Sequence, residues 1–456
     1  MDQALTYAAT HERDFEKDLF DFLRIPSISA QPAHAADVKR SAQWLAARME
    51  RAGLRAEVVE REGKHPLVFA QSPHVPGAPT LLVYGHHDVQ PVDPLHEWET
   101  PPFEPTMKDG MLRCRGSADD KGPTLGMVCA AEAWTRGAGA LPLNLKFAVE
   151  GEEESGGDHL ALFIRENAEK LKADALAILD VPAFQAGGPA LAYGLRGILT
   201  LEIRVEGPNR DLHSGGYGGV VENPAEIVAR LVAGCRSADG SLAIAGIYDD
   251  VAKPDAAERA RLAKLPCDEE AFRAETGAPA LFGEPGHGLY ERLWTRPTFE
   301  VNGIFGGYSG AGSKTIIPAW AGAKLSLRLV PDQHPDRVFE CVRRHLEAHC
   351  PRTVKLTITK GHGAAAIYLP PSGAWAEKSL RALGDAYDCE PKLMRCGGSI
   401  PIAQVFHEVL GLAPLLLGTY TPGERAHAPN ERYPLSDFHG AIRTGVRLYG
   451  LGARSM

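Results

Sequence analysis

Between residues 81 and 180 one arrangement recurs: a short strand-like run, then a turn carrying His, Asp or Glu, and in two of the four cases a helical stretch after it. LLVY (81–84) runs into GHHDV, MLRCRG (111–116) into SADDKGP, LNLKFAV (143–149) into EGEEESGGD, and ALAIL (175–179) into Asp180. Strands alternating with helices hide their apolar sides as a mostly parallel sheet covered by helices. Ligands of such sheets gather outside the carboxyl ends of the strands. His86, Asp119, Glu153, Glu154 and Asp180 all fall there. Side chains two apart on a strand share a face. His86 and Asp88 therefore point one way, with His87 turned to packing or support.

Helical periodicity covers residues 13–24 and 36–52, the second ending at Gly53, and strand-like pieces follow at 54–61 and 66–70. Gly85 is read as the sharp end of the opening strand. A Pro-rich loop, PVDPLHEWETPPFEP, borders the expected site. Helices are expected from about Pro123 and from about Asp158. From Gly197 the texture changes. ILTLEIRVEG, AKLSLRLVP and TVKLTITKG alternate like half-exposed strands around the helices NPAEIVARLVAGC, with Asn223 as cap, and PDRVFECVRRHLEAHC. This reads as an antiparallel α+β layer. After Pro370 and Pro371 the first texture returns. The expected fold is α/β, a mostly parallel sheet covered by helices, with an inserted α+β domain. The divisions fall at 1–196, 197–369 and 370–456.

The chain has 456 residues and a formal net charge of −9, which argues against nucleic-acid binding, since phosphate contact runs on clustered Lys and Arg. There is no basic segment leading into an apolar core at the start, and no apolar run long enough to span a bilayer. The 8 cysteines are scattered without a CxxC pair. They read as reduced thiols in a cytoplasmic protein, so a metal would have to use His, Asp and Glu. Taken singly, each acidic turn reads as a solvated loop. Together, carboxylates crowded at one sheet edge repel one another unless cations lie between them. Two divalent metals with one bridging carboxylate resolve that conflict. A late loop, GERAHAPNERYP, offers His427 as a further ligand.

The blocks GHHDVQPV, RGSADDKGP, VEGEEESGG, DLHSGGYGG, SGAGSKTIIPA, SLRLVP, GGSIP and AHAPNE, with Asp180 between the third and fourth, occur in that order. They resemble the two-metal aminopeptidase-like hydrolases that include carnosinases, bacterial dipeptidases, carboxypeptidase G, desuccinylases and aminoacylases. The likeness runs from about residue 13 onward and is strongest to the carnosinase-like dipeptidase branch. It implies a zinc-peptidase-like catalytic domain with an inserted lid and dimerisation domain. It implies His86 and Asp180 on one metal, Glu154 and His427 on the other, and Asp119 bridging. Asp88 would orient His86, and Glu153 would be the general base toward a water between the metals. Glu152 matches no ligand and reads as a solvated or supporting carboxylate. His213 would stabilise the oxyanion in the other subunit of a homodimer. Arg328 would grip the substrate carboxylate, with Thr315, His362 and Ser399 as further substrate contacts.

The resemblance thus implies a cytoplasmic metallopeptidase, a hydrolase cleaving dipeptides or similar short amides with a free carboxylate. Zinc, manganese and cobalt all suit an oxygen and imidazole ligand set. An N-acyl amino acid deacylase or desuccinylase is the alternative, and a non-catalytic metal-binding scaffold a remote one. The branch usually reads Arg-Glu-Gly-Gly before Ser-Ile-Pro, whereas this chain has Arg395, Cys396, Gly397 and Gly398. His87 replaces a frequent Tyr, and Val181 and Pro182 follow Asp180. These departures bear on the substrate rather than the metals. If Asp180 and His427 share a site, the chain between them must leave the first domain and return. Two linkers then form a hinge that lets a lid close over the site.

Overall fold

The computed structural model describes residues 1–369 and 372–453. They divide into two compact units, Met1–Tyr193 with Leu369–Met394 and Ile402–Met456, and Gly194–Tyr368 with Arg395–Pro401. Pro370 and Pro371, where the sequence places the return to the first domain, lie outside the described residues. Residues 395–401, grouped by sequence with the catalytic part, cluster with the second unit, where Arg395 pairs with Glu258 and Ser399 with Arg328.

In chain order the main strands are β1 (Arg55–Val59), β2 (Leu67–Gln71), β3 (Thr80–His86), β4 (Asn144–Glu150), β5 (Ala175–Ile178), β6 (Ala190–Leu195), β7 (Gly197–Glu206), β8 (Thr298–Gly306), β9 (Trp320–Leu329), β10 (Lys355–Ala364) and β11 (Pro414–Gly418).

In the first unit the strand order is β1-β2-β4-β3-β5-β11-β6. The four central strands β4, β3, β5 and β11 are parallel. β1, β2 and β6 join them antiparallel, so the sheet is parallel where it is deepest and antiparallel at its flanks. Residues 81–84 of β3 are buried throughout, as a strand covered on both faces requires. The helix Glu12–Leu23 buries Phe15, Leu19, Phe22 and Leu23, one stripe at helical spacing. Full burial of a side chain such as Phe22 stabilises by about 1.5–3 kcal/mol.

The helix Lys121–Glu132 starts two residues before Pro123, which has no N–H to lose and is accommodated in the first turn. It is buried on nearly every side and packs against Leu435–Gly452. Their approach depends on absent side chains: a Cβ at Gly445 would lie 2.6 Å from that of Ala130. Gly85 does not end its strand, which continues to His86. It is needed for clearance, because a Cβ there would sit 1.8 Å from Thr124 Oγ1.

The second unit is an antiparallel sheet in the order β8-β9-β7-β10. Alternate residues of β7 (Leu199, Leu201, Ile203, Val205) and β9 (Ala323, Leu325, Leu327, Leu329) form a core with Ile227, Val228 and Leu231 of Pro224–Gly234 and with Val338, Val342 and Leu346 of Pro335–His349. Asn223 caps the first of these helices, its Oδ1 accepting from Ala225 N–H at 3.0 Å. Among the described residues, no helix is long and apolar enough to cross a membrane.

Candidate metal centre

Strand register sets the site. Tyr84 of β3 pairs with Ile178 of β5, so two residues further along His86 comes level with Asp180. On the other side His86 pairs with Glu150, placing the acidic turn 152–154 just beyond the end of β4. Asp119 enters from the turn before the helix Lys121–Glu132, through a cis peptide to Asp120. His427 arrives from a late loop in which Arg425, His427 and Asn430 all have positive φ.

Two groups of donors share Asp119: His86, Asp119 and Asp180, and Asp119, Glu154 and His427, with the ligand atoms of each group within 4.8 Å of one another. The two carboxylate oxygens of Asp119 divide between them. Oδ1 lies 3.0 Å from His86 Nε2, and Oδ2 lies 3.1 Å from His427 Nε2. Glu154 Oε2 is 3.3 Å from the same His427 nitrogen. Donors about 2.1 Å from a tetrahedral metal stand about 3.4 Å apart, so only small adjustments separate this arrangement from coordination. Glu153 lies on the same turn, half-buried.

The electrostatics fit divalent cations. Burial first, then the charge of Asp119, pushes the Asp180 carboxyl well above the usual carboxylate range. Burial and the neighbouring Glu154, Glu150 and Asp119 do the same to Glu153, and Glu154 is raised by burial and Asp119. His427 is pushed up to about 11 by its hydrogen bonds to Asp119 and Glu154. Burial opposes charge on His86, but hydrogen bonds to Asp119 and Asp88 outweigh it and hold this ring well above its ordinary value. Of the four converging carboxyls Asp119 alone is held low, its burial outweighed by hydrogen bonds to His427 and His86, while the other three are pushed up, a deficit of positive charge that bound cations relieve.

Supporting contacts set the donors. The Asp88 backbone carbonyl is the nearer acceptor for His86 Nδ1, at 3.1 Å, with the Asp88 carboxylate at 3.4 Å. That carboxylate accepts from Ser29 Oγ at 2.6 Å and from the Glu154 backbone N–H at 3.0 Å, so it couples the two donor groups. Asp120, buried behind Asp119, accepts from the His86 N–H and from Thr124 Oγ1. Burial raises it to about 7. His87 is buried with Nε2 on the Pro66 carbonyl at 3.0 Å, facing away from the donors as strand parity implies. Glu152 is not solvated. It is buried and accepts from the backbone N–H groups of His65 and His159, which pins the acidic turn.

Two contributors escaped the sequence reading. Glu431, in the AHAPNE block, accepts at 2.9 Å from each of Arg115 Nη1, Gly116 N–H and Ala118 N–H, and at 3.3 Å from Asp119 N–H. It fastens the Asp119 turn to the His427 loop. Gln90 donates from Nε2 to Glu154 Oε2 at 2.7 Å. Its Pro-rich surroundings marked a loop beside the site but singled out no residue.

The remaining site residues named from sequence belong to the second unit. His213 is exposed, and its Nδ1 accepts from Gly215 N–H at 3.0 Å, so the neutral ring carries its proton on Nε2. Thr315 lies beside it, its carbonyl accepting from Ser214 N–H. Arg328 donates to Ser399 Oγ at 3.0 Å. His362 is exposed on β10, near the register shift that precedes the pairing of Ala364 with Ile198, and Arg328 pairs with the same Ile198 from β9.

A parallel sheet that gathers two histidines and four carboxylates at its strand ends is the arrangement of a metal-dependent hydrolase. The chain belongs to peptidase family M20/M25/M40, whose sequence pattern matches residues 82–450, and it is a metallopeptidase. It is 32% identical over 446 residues to the Cys-Gly metallodipeptidase of Schizosaccharomyces pombe, covering 94% of each chain. It is 29% identical over 453 residues to the human Beta-Ala-His dipeptidase, covering 95% of this chain and 89% of that one. The crystal structure of human carnosine dipeptidase 1 superposes with a TM-score of 0.90 at 27% identity, covering 99% of this chain and 98% of that one.

Proposed function

We propose that the protein is a dipeptidase that hydrolyses the amide bond of short substrates carrying a free carboxylate. The observation that carries this reading is Asp119, whose two oxygens face His86 and His427 with Glu153 on the neighbouring turn. Two divalent cations, zinc or else manganese or cobalt, would be held by His86, Asp119 and Asp180 and by Asp119, Glu154 and His427. When bound they supply Lewis acidity toward the scissile carbonyl and the attacking water. Glu153 takes the proton of that water and returns it to the departing amine. Its burial among other carboxylates, which strengthens its hold on a proton, suits the second half of that task. Asp88 fixes the ring of His86 and the backbone of Glu154.

In the same reading, residues of the second unit handle the substrate. His213, with its proton on Nε2, donates to the oxyanion, acting in the partner subunit of a homodimer. Arg328 receives the substrate carboxylate, supported by Ser399, with Thr315 and His362 as further contacts. Dimerisation through the inserted domain is supported by apolar side chains left exposed there, among them Val220, Val301 and Ile304, the last two on β8 at the sheet edge. A cytoplasmic location is supported by cysteines that form no disulfide. Relatives acting on Cys-Gly and on Beta-Ala-His support dipeptides over N-acyl amino acids.

Glu153→Gln tests the assignment. The variant should retain the metal content of the wild type by elemental analysis and lose about 10²–10⁴ in kcat on a dipeptide panel. Near-normal turnover would remove Glu153 as the base.

A further inference from the structure

The second unit holds a cavity of about 360 Å³ whose wall is strongly cationic. Five arginines line it against two glutamates. One glutamate is already used: Arg296 grips Glu284 through two hydrogen bonds of 2.7 and 2.6 Å. Arg236 donates to the carbonyls of Phe299 and Gly240. Among the described residues, neither Arg196 nor Arg328 makes an ion pair.

These two are neighbours. Arg328 donates to Ser399 Oγ, and that hydroxyl donates to the Arg196 carbonyl at 2.5 Å. Arg196 spends its Nε–H on the Gly397 carbonyl at 3.0 Å, and its remaining N–H groups have no acceptor among the described residues. Burial and the Arg328 charge together bring Arg196 down to about 10. The contrast lies a few residues away. Arg395, buried more completely, has its carboxylate in Glu258 at 2.6 Å. Cys396, a thiol, stands at the position where the resembling branch carries Glu, and both unpaired guanidinium groups feel it. Glu300, also on the wall, acts on Arg196 as the weakest of its neighbours.

A single substrate carboxylate balances one guanidinium. A second anionic group is needed for the other, and the cavity behind the pair has room and apolar walls (Leu242, Tyr248, Leu289) for the stem that carries it. We propose that Arg196 joins Arg328 in a two-cation receptor, and that the preferred substrates are dipeptides whose carboxyl-terminal residue is itself acidic, Asp or Glu. The inference rests on the dipeptidase reading and on the carboxylate role of Arg328, and names the substrate class that reading leaves open.

The experiment compares kcat/KM of the metal-loaded enzyme for Ala-Glu and the near-isosteric Ala-Gln. The acidic peptide should be favoured at least about tenfold, mostly through KM, the discrimination expected of one charged hydrogen-bonded contact. The ratio should fall below about threefold in Arg196→Gln and in Cys396→Glu, which sets a carboxylate against both guanidinium groups. Equal rates in the wild type, or a preference that survives both variants, overturn the inference. A second arm avoids turnover: calorimetric binding of glutarate against glutaramate, its half-amide, to wild type and Arg196→Gln. Tighter glutarate binding that Arg196→Gln abolishes supports the receptor. If it is found in a protein that cleaves no dipeptide, the dipeptidase reading falls and the two-cation site stands. Equal binding of the two probes overturns the site whatever the enzyme hydrolyses.

Discussion

The two units carry opposite charge imbalances. In the first, Asp119, Glu153, Glu154 and Asp180 converge on two histidines, and burial with mutual repulsion pushes the Asp180 and Glu153 carboxyls well above the usual carboxylate range. In the second, Arg196 and Arg328 are linked through Ser399 and, among the described residues, neither has a carboxylate of its own. Each unit also contains a buried pair that balances completely, Arg115 with Glu431 at 2.9 Å and Arg395 with Glu258 at 2.6 Å. The difference teaches where to look for ligands. A buried charge matched within the fold holds structure together, whereas one left unmatched marks where something else must bind.

The balanced pairs should give the largest stability effects. Arg395→Gln leaves Glu258 buried and unpaired, and should cost about 3–5 kcal/mol in urea unfolding. Glu431→Gln should cost a similar amount and also lower metal affinity, since it loosens the Asp119 turn. Arg196→Gln should leave stability unchanged or slightly raised. Equal losses in Arg395→Gln and Arg196→Gln would erase the distinction between matched and unmatched charge. Asp180→Asn should split by metal state. With chelator present the variant should be at least as stable as the wild type, because it removes a buried like charge. With metal present it should bind the cation at least about 100-fold more weakly by competitive titration. The smallest effect belongs to Gln90→Ala, which frees Glu154 and should weaken metal binding about tenfold with little change in melting temperature.

Most of the architecture was legible because it follows from periodicity. Apolar runs read as strands, the stripe of Phe15, Leu19 and Phe22 as a helix, and the alternation of Leu199 to Val205 as a strand with one buried face. The side chains that the structure gathers into two candidate donor groups were singled out in the sequence because each ends a strand or lies in a recognisable block. What escaped was spatial rather than patterned. Glu431 touches the Asp119 turn only after the chain has returned from the second unit, and Gln90 lies in a loop whose prolines obscure which side chain points inward. For Glu152 the sequence left open a solvated or a supporting carboxylate, and the backbone N–H groups of His65 and His159 give it the supporting task. Gly85 looked like a strand terminator and proved to be clearance for Thr124. The imbalance around Arg196 was out of reach, because it depends on which carboxylates are spent elsewhere.

The late position of the Arg395–Pro401 segment and of His427 has a consequence for synthesis. A ribosome delivers His86, Asp119, Glu154 and Asp180 early and Arg328 well before Ser399. Domains begin to fold from the amino-terminal side as the chain emerges. The first unit nonetheless lacks β11 and the His427 imidazole, and the second lacks the Ser399 hydroxyl beside its arginines, until residues 399–427 are made. A chain made only as far as Arg328 therefore holds the donors His86, Asp119 and Asp180 but lacks the His427 imidazole of the second group and the Ser399 hydroxyl beside its arginines.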